Sequence, residues 1–261
     1  MKRLLAGLAI LLALPLVFAG CTRVNPGPVT TRSFDYTGFS KVEIGSAFRV
    51  EVVQSDTWSI SITAQEKLFD RVSVSESGDM LQINLSWGWG TWVSSWGYQR
   101  PTARITMPEL NALSISGASD GTAKGFRSSH DTNITVSGAS NLEIDIEAAN
   151  SRIEVSGASR LEGTLKTSGD VRAQITGASR AKLEGSARSL TLEGSGASNA
   201  NMENLAVQDA DVEMSGASHA TVSPEDTMRV SLSGASSLSY TGNPALEAIE
   251  VSGASTIHKK S

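Results

Sequence analysis

The tetrapeptide "SGAS" stands at residues 116–119 and returns at 137–140, 156–159, 195–198, 215–218, 233–236 and 252–255, with "TGAS" at 176–179. Its glycines are Gly117, Gly138, Gly157, Gly177, Gly196, Gly216, Gly234 and Gly253, separated by 21, 19, 20, 19, 20, 18 and 19 residues. A period near 20, held over eight copies, marks a solenoid in which each copy is one coil laid on the last. It is too short for helix-pair repeats such as ankyrin or tetratricopeptide units. The fixed leucines and Asn of a leucine-rich repeat are absent.

The flanks say what each coil is made of. Four residues before each glycine stand Leu113, Ile134, Ile153, Ala173, Leu192, Val212, Val230 and Ile249, all apolar. Two before it stand Ile115, Val136, Val155, Ile175, Gly194, Met214, Leu232 and Val251, and the residue between is polar in each copy. That alternation of period two predicts a strand with one face buried. Four past the glycine come Gly121, Leu142, Leu161, Ala181, Ala200, Ala220, Leu238 and Ile257, each preceded by a polar residue. A second inward-facing stretch therefore leaves the motif, and "SGAS" is the corner between two strands. Gly allows the bend. The small Ala is expected to point into the crowded inside of the corner. The flanking Ser residues are expected to bond freed backbone groups or each other along the stack. A row of corner serines could instead be a ligand surface, as in ice-binding solenoids. The outward residue after each motif is too irregular for a periodic ligand: Asp120, Asn141, Arg160, Arg180, Asn199, His219, Ser237 and Thr256.

The chain opens differently. "MKRLLAGLAILLALPLVFAGC" has Lys2 and Arg3, an apolar run from Leu4 to Phe18, then Ala19, Gly20 and Cys21. This is a secretory signal, and "FAGC" is similar to a bacterial lipobox. Cys21 is the only cysteine of the 261 residues, so it is the candidate lipidation site and no intramolecular disulfide can form. The alternative is an ordinary signal peptide cut near Ala19, or an uncleaved anchor. Thr22 rather than Asp follows the cysteine, which in a diderm host would let the lipoprotein move to the outer membrane. "TRVNPGPVTTR" (22–32) reads as a Pro/Gly tether. The expected organisation is a lipoprotein signal over 1–20, a lipidated Cys and tether over 21–33, and a β-helical domain over 34–258. Within that domain 34–110 is less regular and 111–258 carries the repeats.

The stretch "FSKVEIGSAFRVEVVQ" (39–54), the later "ITMPELNALSISGAS" (105–119) and the repeated "SGAS" behind an export signal resemble the family described as "putative autotransporter adhesin, head GIN domain". The resemblance covers about residues 39–258. It implies a right-handed parallel β-helix exported to the bacterial surface, and it carries no catalytic residues with it.

Composition narrows the chemistry. The net charge of −5 is scattered, with no basic stripe, which argues against nucleic acid as a partner. β-Helices include polysaccharide lyases and esterases, which need clustered charged residues or paired carboxylates in a groove. Asp131, Asp145, Asp170 and Asp211 are read as falling at differing phases of the repeat, and His130, His219 and His258 as isolated. No metal-ligand spacing or calcium-binding nonapeptide pattern is present, so no enzyme, metal or cofactor is expected. The candidate binding residues are aromatic. "SWGWGTWVSSWGYQRP" (86–101) holds Trp87, Trp89, Trp92, Trp96 and Tyr98. Trp87 and Trp89 continue a strand's alternation and are expected to be protected. Trp92 and Trp96 sit among Gly, Thr and Ser and are expected to be partly exposed. The stretch is either a platform for glycans, peptides or a membrane interface, or a cap shielding the solenoid from edge pairing.

Three functions remain. The first is a structural or adhesive lipoprotein, anchored through Cys21 and facing outside the cytoplasm. The second is an accessory or sensor module binding a glycan or protein through residues 86–101. The third and weakest is a carbohydrate-active β-helix enzyme.

Overall fold

The computed structural model describes residues 27–86 and 99–260. The protein is an all-β solenoid of stacked strands with a single 3₁₀ turn at Glu66–Leu68 among the described residues. Two faces run the length of the stack. The second face is built from β1 (Val29–Phe34), β3 (Arg49–Gln54), β4 (Ser59–Gln65), β7 (Thr102–Met107), β9 (Asp120–Arg127), β11 (Asn141–Ala148) and β13 (Arg160–Thr167). The first face is built from β2 (Lys41–Ile44), β5 (Val72–Ser77), β6 (Met80–Leu85), β8 (Ala112–Ile115), β10 (Thr132–Val136), β12 (Ser151–Val155) and β14 (Asp170–Ile175). Three long strands, β15 (Arg180–Gly194), β16 (Asn199–Met214) and β17 (His219–Leu232), begin on the second face and end on the first. The last coil but one brings β18 (Ser237–Tyr240) to the second face. The final coil places β19 (Ala245–Val251) on the first face and β20 (Thr256–Lys259) on the second.

Each strand pairs with its equivalent one coil away, not with its neighbour in sequence. β12 lies parallel between β10 and β14, so Ile134, Ile153, Ala173 and Leu192 stack in register. The apolar positions on both sides of the corners are buried throughout, up to Leu238. Where one coil lacks a side chain the next supplies it: a Cβ on Gly194 would meet the Met214 sulfur at 2.5 Å.

The corners are ladders of their own. All eight glycines have positive φ, from 69° to 81°. The Ala158 amide donates to the Gly138 carbonyl and the Ala178 amide to the Gly157 carbonyl, both at 2.8 Å, and each later corner repeats the bond. The expectation for alanine is overturned. The alanines of the motif are exposed, and the second serine turns inward instead. Ser119, Ser140, Ser159, Ser179, Ser198, Ser218 and Ser236 are all buried. A buried hydroxyl needs partners, and the corner provides them. Ser179 Oγ donates to the Thr176 carbonyl at 2.7 Å and Ser218 Oγ to the Ser215 carbonyl at 2.6 Å. The Ser119 and Ser140 amides donate to the hydroxyls of the serines one coil on, at 3.3 and 3.4 Å. A serine row inside the protein is a stacking device and offers no surface to a ligand.

The first part of the chain departs from the parallel pattern. β4 runs antiparallel to β7, β1 antiparallel to β4, and β5 antiparallel to β6. These strands close one pole of the stack over Phe39, Phe48, Leu68 and Phe69, which are all buried. A further corner lies here, at Gly45–Phe48. Ile44 is in register with Ile115, the Ser116 amide donates to the Ile44 carbonyl at 2.9 Å, and the Phe48 amide donates to Ser119 Oγ at 3.1 Å. "GSAF" thus occupies the place of an "SGAS".

Candidate functional site

Where the chain turns from the second face back to the first, one row of polar residues lines up. Thr132, Ser151, Val171 and Leu190 are in register, so the residues before them, Asp131, Asn150, Asp170 and Ser189, form a row. Asp131 and Asp170, expected at differing phases, are therefore equivalent positions two coils apart. Asn150 bridges them. Its Nδ2 donates to Asp131 Oδ1 at 2.8 Å, and its Oδ1 accepts from the Asp170 amide at 2.9 Å. Asp170 in turn accepts from Arg188 Nη2 at 2.8 Å on both oxygens and from Ser189 Oγ at 2.8 Å. Hydrogen bonds from Arg188, and then from Ser189, hold the Asp170 carboxyl below the ordinary carboxylate range.

These residues border a cleft of about 310 Å³, floored by Asn133, Arg152, Arg172 and Thr191 from adjacent strands. Arg152 Nε is bonded to Glu154 Oε1 at 2.9 Å. The Arg172 side chain makes no hydrogen bond or ion pair among the described residues, and its charge adds to the lowering of the Asp170 carboxyl. The cleft thus joins guanidinium groups to fixed carboxylates, an amide and hydroxyls, which suits polar ligands rather than apolar ones. A carboxylate held ionised as Asp170 is accepts hydrogen bonds and does not serve as a proton donor at neutral pH.

The other aspartates play surface roles. Asp145 pairs with Arg127 at 3.1 Å on the second face. His130 is exposed, with Nδ1 3.5 Å from Glu109 Oε2. Among the described residues no group of three His, Cys, Asp or Glu side chains is placed to hold a metal ion. No helix among them is long and apolar enough to cross a membrane.

Trp87, Trp89, Trp92, Trp96 and Tyr98, and Cys21 with the signal and residues 22–26, lie outside the described residues; the end of the stretch read as a tether is instead strand, since β1 begins at Val29 and pairs with β4. What the structure gives is the two roots of the aromatic stretch. It leaves β6 at Ser86, whose amide and Oγ both donate to the Arg71 carbonyl, at 2.9 and 3.1 Å. It returns at Gln99, whose amide donates at 2.8 Å to Oε1 of the buried Gln65. Residues 86–101 thus join β6 to β7 where the inner coils have four-residue corners. Beside the second root is a cleft of about 400 Å³ lined by Val29, Arg49, Gln65, Gln99 and Arg100 among others. The fifth tryptophan, which no motif singles out, is Trp58. It is 37% exposed at the start of the closed pole, and its Nε1 donates to the Phe39 carbonyl at 2.8 Å.

Comparison with solved structures returns the same fold in proteins of distant sequence. A "putative lipid binding protein" from Parabacteroides distasonis superposes with a TM-score of 0.81 at 15% identity, covering 90% of this chain and 98% of that one. A "putative adhesin" from Parabacteroides merdae gives 0.78 at 17% identity over 90% and 97%. A "putative adhesin" from Parabacteroides distasonis gives 0.76 at 16% over 90% and 98%. No curated protein matches the sequence. The family model described as "Putative auto-transporter adhesin, head GIN domain" matches residues 38–244, and this chain belongs to that family.

Proposed function

We propose that the protein is a bacterial envelope lipoprotein whose solenoid is an adhesive or scaffolding body without catalytic function. The observation that carries this is the position of Cys21, the chain's only cysteine, directly after the apolar run and eight residues before β1. β1 is the outermost strand of the closed pole, so a lipid at Cys21 holds that pole toward the membrane and projects the stack away from it. Membership of an adhesin family supports an exported, surface-facing role. The absence of Asp after Cys21 favours the outer membrane in a host that has one. Cys21→Ser is expected to abolish both fatty-acid labelling and membrane fractionation. A variant that labels and fractionates like the wild type removes the lipoprotein reading.

A second reading gives the aromatic stretch a ligand, a surface glycan or protein. It is favoured by the fastening of Ser86 and Gln99, at Arg71 and Gln65, on either side of the aromatic residues in the sequence. The double variant Trp92→Ala/Trp96→Ala separates it from a capping role. Binding predicts lost attachment to glycan arrays with the melting temperature unchanged, as for surface substitutions. Capping predicts a loss of about 3 kcal/mol or more, as for tryptophans truncated in a core.

A further inference from the structure

The polar cleft in the middle of the first face has bonding capacity that the fold leaves unused. Asn133, Arg152, Arg172 and Thr191 stand in register on four successive strands and turn outward, spanning about 14 Å along the stack. Arg152 and Arg172 are therefore like charges side by side, an unfavourable pairing unless an anion lies between them. Arg152 gives only its Nε to Glu154; its two Nη groups, the Arg172 guanidinium, the Asn133 amide group and the Thr191 hydroxyl make no hydrogen bond among the described residues. Two residues earlier on each strand, the row from Asp131 to Ser189 forms the facing wall. There Asp131 Oδ1 accepts from the Asn150 amide at 3.2 Å and from Asn150 Nδ2 at 2.8 Å. Its Oδ2 accepts nothing, and Asp131 has no ion pair among the described residues. Further coils lie on both sides of this cleft, so the ends of the stack play no part in it.

We propose that this cleft binds an acidic saccharide, with the carboxylate of a sugar acid between Arg152 and Arg172 and the sugar hydroxyls on the facing row. The inference rests on the adhesive reading above for the role of the contact, and needs neither the lipid anchor nor the aromatic stretch. The chemistry of the walls selects the ligand. A guanidinium fork fits a planar carboxylate, and one negative charge between two cations relieves their repulsion. The facing wall rejects dense negative charge, since Asp131 and Asp170 repel a polyphosphate chain such as nucleic acid. An ionised carboxylate only accepts hydrogen bonds, so Asp131 Oδ2 and the fixed Asp170 carboxylate call for donors, which hydroxyls supply. The one apolar residue lining the cleft, Val171, is 1% exposed, so nothing there covers a lipid chain, an apolar peptide side chain or a base. A ligand with one carboxylate and several hydroxyls per unit is a sugar acid.

The wall continues beyond the cleft. Asp209 is in register with Ser189, and Thr227 with Asp209. Each aspartate of the row accepts from the neutral residue one coil on: Asp131 from Asn150, Asp170 from Ser189 and Asp209 from Thr227. Carboxylates thus recur at every second coil, about 10 Å apart, along the direction in which a linear glycan would lie. With no aromatic ring to stack on, a single sugar is held weakly, and a polymer gains by engaging several positions at once. The second face supplies a contrast. Arg160 and Arg180 are also in register, with Arg160 Nε 3.7 Å from Glu162. Two residues before them stand the corner alanines Ala158 and Ala178, so that arginine pair has no wall of acceptors beside it.

The test titrates trigalacturonate into the full chain in detergent by calorimetry, with the melting temperature of every variant recorded. The wild type is expected to bind trigalacturonate about tenfold or more tighter than its methyl ester, which keeps the hydroxyls and loses the charge. Arg172→Gln, which breaks no hydrogen bond of the fold, weakens binding by about tenfold or more with the melting temperature unchanged, and Arg172→Lys recovers part of the loss. Arg180→Gln, removing the same charge from the second face, binds as the wild type does. Inorganic sulfate at equal concentration leaves the sugar bound. No binding, equal binding of acid and ester, equal losses in Arg172→Gln and Arg180→Gln, or displacement by equal sulfate would each overturn the proposal. Free galacturonic acid and immobilised polygalacturonate separate the two sources of the ligand. Tighter retention on the polymer supports an adhesive contact. Binding of the free acid without the polymer leaves the site in place and overturns the adhesive reading instead.

Discussion

The closed pole and the open pole solve the same problem in opposite ways. In a stacked fold each coil is covered by the two beside it, so a coil with one neighbour must either change shape or expose its inside. At the first pole the shape changes. Strands reverse direction, and large side chains such as Phe39, Phe48 and Phe69 fill the end. At the other pole it does not. β19 keeps the inward pattern of the coils before it, Leu246, Ile249 and Val251, with no coil laid over them among the described residues. Repetition of letters therefore tracks repetition of surroundings. The motif is constant where both neighbours are alike and dissolves where the stack is finished off.

The sharpest break of that comparison is in the middle of the stack. Gly157 has φ 76°, and a Cβ there would sit 2.4 Å from the Gly138 carbonyl oxygen. Its own carbonyl accepts from the Ala178 amide at 2.8 Å, so the corner cannot shift without disturbing both neighbours. Gly157→Val is expected to cost about 3 kcal/mol, from backbone strain and a backbone clash together. The same change at Gly253 meets the same local geometry, φ 69° and 2.4 Å from the Gly234 carbonyl. There only one neighbour holds the coil, and local opening of the end relieves the clash. The expected cost is about 1 kcal/mol. Denaturant midpoints for the two variants test this. Equal losses would mean that the last coil is clamped as firmly as the middle ones.

How much of this was legible depended on what each feature is made of. The buried positions at four and two before the glycine, and four after it, follow from side-chain alternation and are buried in every coil up to Leu238. Alternation does not encode strand direction, so the antiparallel β4 and β5 read like any other strands, and β1 hides at the end of the stretch that reads as a tether. It also fails inside the corner, where the backbone rather than hydropathy decides which residue turns in. The alanine looks like the inward residue, yet Ser140 and its equivalents go in, because the turn offers carbonyls such as those of Thr176 and Ser215 as partners. The row Asp131–Asn150–Asp170–Ser189 mixes three residue types over two chemistries, carboxylate and neutral polar, so no single letter recurs at every step. Only counting back seven residues from Gly138 and from Gly177 puts Asp131 and Asp170 in one place. The aromatic stretch announces itself by composition, and its roots could not be read from the sequence, since they depend on Gln65, at the end of β4, and on Arg71, in the turn before β5.

The smallest effect tests the corner the motif does not spell. In "GSAF" Ser46 holds the place that glycine holds in every "SGAS": it lies against Gly117, whose added Cβ would meet the Ser46 amide nitrogen at 2.7 Å. Ser46 has φ 68° and Ala47 φ 62°, the only non-glycine residues with positive φ among those described. A left-handed conformation costs an ordinary L-residue roughly 1–2 kcal/mol. Glycine removes that cost but loses more conformational freedom on folding, by about 0.5–1 kcal/mol. Ser46→Gly should therefore stabilise the protein by about 0.5 kcal/mol, raising its melting temperature by a degree or two for a domain of this size. Gly157→Ser, the reverse exchange inside the regular stack, should destabilise, since it adds the Cβ that Ser46 already accommodates. A Ser46→Gly variant that melts lower than the wild type would show that Ser46 contributes contacts worth more than its strain, and that the first corner is a different structure from the eight that follow it.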